Sequence, residues 1–189
     1  KFTNLGEITN KGIELNAGWN DKIGNLGYHF GANYSYNKNV VNSIGDNFNF
    51  QIVGNGGVNL TRTGSSIGYF YGYKQVGVYQ TTADLEKMPA FSTSLPGDIA
   101  YADIDGDGTI TAADRTYLGT PMPPHSYGAS LGFDYKGFDI SIEGQGFAGH
   151  KIYTQRKTAT FTVLNWEANR ANAWSGAGTS NIEPIINNA

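Results

Sequence analysis

The sequence predicts an all-β fold, about six antiparallel strands of a transmembrane β-barrel whose full circumference is larger. Three observations predict it. Apolar and small polar residues alternate over stretches of about ten residues, the length that crosses a bilayer when a strand is tilted. The wet face of these stretches is built from Asn, Ser and Gly, whereas a soluble sandwich places charges there. Short connections alternate with long ones, as in barrels with tight turns at one rim and large loops at the other.

The first hairpin starts at residues 11–21. Ile13, Leu15, Ala17 and Trp19 take one face and Glu14, Asn16, Gly18 and Asn20 the other. Lys22-Ile23-Gly24-Asn25 supplies turn chemistry, after which Tyr28, Phe30, Ala32, Tyr34 and Tyr36 alternate with His29, Gly31, Asn33, Ser35 and Asn37. Aromatics at Trp19, Tyr28, Tyr34 and Tyr36 suit an interfacial girdle. Residues 38–65 read as a polar, Gly-rich loop with a short strand near Gly57 to Thr61. A second hairpin is expected from Ile67–Tyr73 and Val76–Gln80. Residues 81–124 form a long connection ending in Pro121-Met122-Pro123-Pro124, too many prolines for a strand. The third hairpin sets Tyr127, Ala129, Leu131, Phe133 and Tyr135 against Phe138, Ile140 and Ile142 across Lys136-Gly137. Beyond residue 147 the period is lost, with a short helix expected at Trp166 to Trp174. Six strands are fewer than the roughly eight that close a membrane barrel, so the open edges need neighbours. The opening Lys1-Phe2-Thr3 has no initiator Met and no leader pattern, and the chain is expected to be an internal piece of a longer polypeptide.

Composition narrows the function. Among 189 residues there are 26 Gly, 12 Tyr and 10 Phe, and only 15% are charged, against about 25% in ordinary globular domains. A net charge of -3 without any Lys/Arg cluster excludes a nucleic-acid surface. With no Cys, disulfides and thiolate metal sites are excluded. No apolar run approaches the roughly 20 residues of a membrane helix, a test to which β-barrel strands are blind.

Within the 81–124 connection, residues 103–114 carry Asp-Ile-Asp-Gly-Asp-Gly-Thr-Ile-Thr-Ala-Ala-Asp, the ligand order of an EF-hand calcium loop. A hard dication needs many oxygens converging on one point. Asp103, Asp105 and Asp107 are the expected side-chain ligands, Thr109 the carbonyl ligand and Asp114 the closing carboxylate. Thr111 would add a hydroxyl or a bound water, Gly108 the sharp turn, and Ile110 an apolar anchor. The twelfth position holds Asp where a bidentate Glu is usual, so looser coordination of Ca2+ is expected. Pro96 to Tyr101 before the loop reads as extended, and only Ala112 to Leu118 after it is able to form a helical turn. A single half-motif suits a structural clip better than a switch.

Taken in order, Asn10-Lys11-Gly12-Ile13-Glu14, Ile67 through Tyr73, Pro96-Gly97-Asp98, Asp103 through Ile110, Asp114-Arg115 with Leu118-Gly119, and Phe138-Asp139-Ile140 through Gln145-Gly146 resemble the late barrel of SusC/RagA-type TonB-linked outer-membrane proteins. The likeness runs over roughly residues 5–175. It implies a barrel of about 22 strands filled by a plug, in the outer membrane of Bacteroidota-type bacteria. It also implies import of oligosaccharides or peptides with a SusD-like surface lipoprotein, driven by TonB acting on the plug. The whole of 1–189 would then be barrel, bathed in outer-membrane lipid, with the calcium loop on the extracellular side. On this resemblance the plug, the TonB-contacting segment and the other strands lie in the rest of a longer polypeptide.

Other features weigh less. Phe91, Trp166 and Trp174 are more readily loop-packing aromatics than sugar platforms. Glu14, Asp139 and Glu143 on the polar face are expected to hydrogen-bond across the wall rather than line a substrate path. His29, His125 and His150 have no metalloprotease spacing, and no nucleophile motif is present, so no enzyme activity is expected. The competing reading is a secreted soluble β-rich calcium-binding module, dockerin-like or carbohydrate-binding. A dockerin carries two loops in tandem, and this chain has one.

Overall fold

The structure, a computed structural model, describes residues 6–45, 50–53, 57–154 and 168–186. It resolves into two units, Lys1–Phe70 with Gly119–Ile152, and Tyr71–Leu118 with Tyr153–Ala189.

The first unit is dominated by one four-stranded antiparallel sheet. β1 (Glu7–Ile23) and β2 (Leu26–Ser43) form one hairpin and β9 (His125–Tyr135) and β10 (Phe138–Ala148) another, in the order β1-β2-β9-β10. Both tight turns follow from local chemistry. Ile23 pairs with Leu26 around Gly24-Asn25, and Gly24 alone has a positive φ (62°), the pattern of a type II′ turn. Tyr135 pairs with Phe138 around Lys136 (φ 47°) and Gly137 (φ 87°), the double positive φ of type I′. Both primed turns carry the twist that lets long strands stay paired, and β1 and β2 remain in register from Ile8↔Val41 to Ile23↔Leu26.

That register sorts the side chains into two faces. Trp19, Phe30, Leu131 and Ile142 line up across all four strands, as do Leu15, Tyr34, Tyr127 and Gly146. The opposite face carries Asn16, Asn33, Gly128 and Gln145 in one row and Gly18, Gly31, Ser130 and Glu143 in the next. Neither face is a core. Ile13 is 61% exposed, Ile140 61% and Phe138 80%. In water such a face would have to be covered.

Six strands lie between the two hairpins: β3 (Phe50–Val53), β4 (Asn59–Arg62), β5 (Tyr69–Tyr73), β6 (Gln75–Val78), β7 (Ile99–Tyr101) and β8 (Arg115–Gly119). Here the structure corrects the sequence reading. The stretches at 67–73 and 76–80 are both strands, but they do not pair as a hairpin. β5 pairs with β4 in the sheet β3-β4-β5-β8, and β6 pairs with β7. Only Lys74 separates β5 from β6, and one residue cannot reverse an antiparallel pair, whose tightest common connection has two. The long sheet therefore holds four strands, and residues 44–124 form a single excursion leaving the end of β2 and returning to β9.

Other boundaries move too. β2 continues to Ser43, through what composition suggested was loop, and β3 precedes β4 there. The expected helical turn at Ala112 to Leu118 is a 3-10 turn at Ala112–Asp114 followed directly by β8. A 3-10 turn at Ala168–Asn172 stands where a short helix was expected, and Trp166 lies outside the described residues. Helix α1 (Thr82–Lys87) was not anticipated; its signal was Thr81-Ala83 running into Asp84, whose Oδ2 accepts from the amides of Thr81 (3.0 Å) and Gln80 (2.9 Å).

The second unit has a small core of its own from Val78, Tyr79, Ala100 and Ile110, all buried. Tyr79 donates its hydroxyl to the Pro89 carbonyl at 2.5 Å. Tyr73, Phe91 and Tyr101 pack edge-to-face and tilted, with centroids 5.3 to 5.9 Å apart. Trp174 donates Nε1–H to Gln80 Oε1 at 3.1 Å and lies against Gly97. Phe91 and Trp174 thus pack loops.

Close strand contact gives one glycine a testable role. A Cβ on Gly12 would run into the Tyr36 carbonyl oxygen, a backbone atom with no way to move aside, whereas a Cβ on Gly144 meets nothing within 4 Å. Gly12→Ala should destabilise the folded protein by about 1–3 kcal/mol, read as a lower midpoint of thermal unfolding. Gly144→Ala should leave that midpoint unchanged, and equal behaviour of the two would discount the steric account.

Candidate functional site

Two features of the chain offer chemistry: the acidic loop at 103–114 and the polar face of the long sheet. The loop is shaped by its own side chains. Asp103 accepts from the amides of Gly106 (Oδ1, 2.7 Å) and Gly108 (Oδ2, 2.9 Å), curling the chain back on itself. Gly108 takes a φ of 87°, a conformation costly to any residue with a Cβ. Asp107 Oδ1 accepts from both the amide and the hydroxyl of Thr109 at 2.8 Å. Ile110 is buried and its amide donates to the Ala90 carbonyl at 3.2 Å, anchoring the loop in the second unit's core as its pattern suggested.

Asp114 closes the loop. Its side chain is fully buried, with Oδ1 accepting from Ile104 N–H and Oδ2 from Thr111 N–H, each at 2.7 Å. The Thr111 and Ile104 amides hold its carboxyl below the ordinary carboxylate range. Asp105 goes the other way. The Asp107 amide stabilises its charge, but desolvation and the negative field of Asp107, Asp114 and Asp103 outweigh that bond and raise its pKa.

Of the residues singled out from the pattern, Asp103, Asp105 and Asp114 each present an oxygen within 4.8 Å of the others. Asp107 and Thr109 lie beside this group in the loop, tied to one another. Three carboxylates converging on one point are a donor set of the hard-oxygen kind.

The polar face of the sheet forms an open concavity of about 840 Å³, lined among others by Asn16, Asn33, Ser126, Ser130, Glu143 and Gln145. Glu14, Asp139 and Glu143 all lie on it, but none accepts a hydrogen bond from another described residue, contrary to the expectation of cross-wall bonding. The register gives the reason. Asp139 sits opposite a second acid, Asp134, while Glu14 and Glu143 belong to the outer strands β1 and β10.

No protein-family profile matches the chain. At 33% identity over 195 residues it is similar to TonB-dependent receptor P3 of Formosa agariphila, an alignment covering 97% of this chain and 19% of the relative. TonB-dependent receptor P26 of the same organism is 28% identical over 82% of this chain and 16% of its own length. The chain thus spans about a fifth or less of the relatives it matches. In fold it is similar to a chain from the RagAB peptide transporter structure, with a TM-score of 0.73 at 19% identity, covering 97% of this chain and 20% of that one.

The Asp114 bonds predict a pH dependence. A carboxylate held below its ordinary pKa stabilises the loop above about pH 4 and loses that contribution as pH falls through its folded value. With chelator present, exchange protection of the Ile104 and Thr111 amides, corrected for intrinsic rates, should be flat from pH 8 to 5 and fall below about pH 4. Asp114→Asn should expose one of the two amides at neutral pH, because an amide group offers one acceptor oxygen in place of two.

Proposed function

We propose that this chain, a segment of a TonB-dependent outer-membrane receptor, forms wall and surface loops of a SusC/RagA-type nutrient importer. Its place is the bacterial outer membrane, and its relatives are receptors rather than enzymes. The observation that carries the reading is the four-stranded sheet with an uncovered apolar face on one side and a polar face on the other. Lipid covers the first and the lumen wets the second. The dimensions agree: the ten steps from Ile13 to Ile23 span about 34 Å along the strand, or about 26 Å of depth at a tilt of about 40°. That matches an apolar band about 25 Å tall.

The tight turns at Gly24-Asn25 and Lys136-Gly137 mark the periplasmic rim, and the 44–124 excursion is extracellular. There it stiffens the surface that meets a SusD-like lipoprotein, with an oligosaccharide or a peptide as cargo and TonB acting through the plug of the complete receptor. Single cysteines in the complete receptor, in intact outer membranes, test the wall. Cys at Leu15 or Ile140 should resist a water-soluble thiol reagent and Cys at Asn16 or Ser130 should react; the reverse pattern would sink the reading. Deleting the receptor should abolish energy-dependent uptake of one labelled oligosaccharide or peptide class, and uptake of every class at the parental rate would remove the importer assignment.

The 103–114 loop is proposed to bind Ca2+ as a structural clip, using Asp103, Asp105 and Asp114 with Asp107 and Thr109 alongside. The convergence of the first three carboxylates supports it. The ion would supply positive charge where several acids repel one another, and the chain's own residues would supply only oxygen donors. Asp105→Ala should lower the receptor's thermal stability in calcium and leave it unchanged or higher in chelator, since it removes one charge from that cluster. Equal loss in both conditions would take the metal out of the account.

A further inference from the structure

The outward face of the long sheet changes character abruptly at its loop-bearing end. Lys11 and Lys38 are direct cross-strand partners one alternation beyond Ile13 and Tyr36, on the same face. Partners in this position have Cα atoms about 4.5–5.5 Å apart, and like charges so placed are destabilising unless something compensates them. Both lysines are exposed, and among the described residues no carboxylate forms an ion pair with either. Glu7, farther along β1, already accepts a hydrogen bond from Asn42 at 3.0 Å. Just inside the lysines lies a row of amphipathic rings. Tyr36 and His125 pack at 5.1 Å between centroids, and the Tyr34 hydroxyl meets His125 Nδ1 at 2.8 Å.

We propose that Lys11 and Lys38 together bind the phosphate headgroup of a lipid anchored in the outer leaflet, its acyl chains lying on the apolar face below. The proposal rests on the barrel reading above, which fixes that face toward lipid and that end toward the cell exterior. Under it the two ammonium groups reach headgroup depth, about 7 Å along the strands past the Ile13–Tyr36 row. A phosphate bearing up to two negative charges neutralises both at once. A zwitterionic or uncharged headgroup leaves the repulsion in place. The Tyr36–His125 row provides the interfacial ledge on which a sugar-phosphate headgroup rests.

The test uses the complete receptor in detergent, with bis-phosphorylated lipid A as probe and native mass spectrometry as readout. The wild type should retain the lipid, and Lys11→Gln/Lys38→Gln should bind it roughly thirtyfold more weakly. Dephosphorylated lipid A should bind the wild type no better than the double variant does. Lys38→Glu, which sets opposite charges across the strands, should abolish retention while raising the thermal stability of the lipid-free receptor. Equal retention by wild type and variants overturns the proposal. So does full competition by inorganic phosphate at the lipid's own concentration, which would make the site one for a soluble anion. The thiol-labelling pattern separates the two levels: protected Leu15→Cys and Ile140→Cys with lipid retention unaltered by the lysine substitutions refutes the lysine site alone, whereas reactive Leu15→Cys and Ile140→Cys refutes the barrel reading beneath it.

Discussion

The unbroken antiparallel register of the long sheet constrains everything else in the molecule. Because side chains alternate strictly along a strand, keeping β1 and β2 in step from Ile8 to Ile23 commits every second residue to one side of the wall. β9 continues the same alternation from β2, and β10 from β9. A slip of one residue anywhere would exchange the row of Asn16 and Asn33 with that of Leu15 and Tyr34 between the two faces. The two primed turns set this register locally, at the one place where a short sequence can fix pairing without help from the rest of the chain.

The lack of a packed layer over Ile13, Ile140 and Phe138 follows from that arrangement. A soluble sheet buries one face against a second layer, yet here both faces of β1 and β10 are exposed and the described long sheet has no second layer over Ile13, Ile140 or Phe138. In the proposed membrane wall the bilayer would cover the apolar face, and neighbouring strands would satisfy the backbone groups of the sheet edges. The second unit is organised by ordinary rules. Tyr79, Val78, Ala100 and Ile110 make a small buried centre, and the acidic loop hangs from it by Ile110 and the buried Asp114. An uncovered sheet and a conventionally packed unit thus occur in a single chain. This explains why its composition is poor in charge and yet not hydrophobic.

The acidic loop gathers carboxylates at the cost of mutual repulsion. Asp103, Asp107 and Asp114 spend their oxygens on backbone amides, which shapes the turn and partly offsets the charge. Asp105 gains least from such bonds, and the field of its neighbours disfavours its ionised form. The loop's geometry is thus held by hydrogen bonds internal to it, while the repulsion among its acids is only partly offset. The Lys11–Lys38 pair on the wall poses the same problem with the opposite sign.

Much was legible in the sequence because it depends on neighbours near in the chain. The period-two alternation of 11–21, 28–37, 127–135 and 138–145 determined four strands and their faces, and Gly24-Asn25 and Lys136-Gly137 determined two turns. The spacing of Asp103, Asp105, Asp107 and Asp114 likewise determined where acids would cluster, since a twelve-residue loop closes on itself. Pairing between distant strands was decided only in three dimensions. Two aromatic, Gly-rich stretches at 67–73 and 76–80 look like a hairpin, but Lys74 alone cannot turn the chain, and each strand finds its partner elsewhere, in β4 and in β7. The burial of Asp114 and the placing of β2 beside β9 across an excursion of 81 residues (44–124) belong to the same class. Periodicity reports which face a residue takes, but which strand lies alongside is settled by hydrogen bonds between segments far apart in the chain.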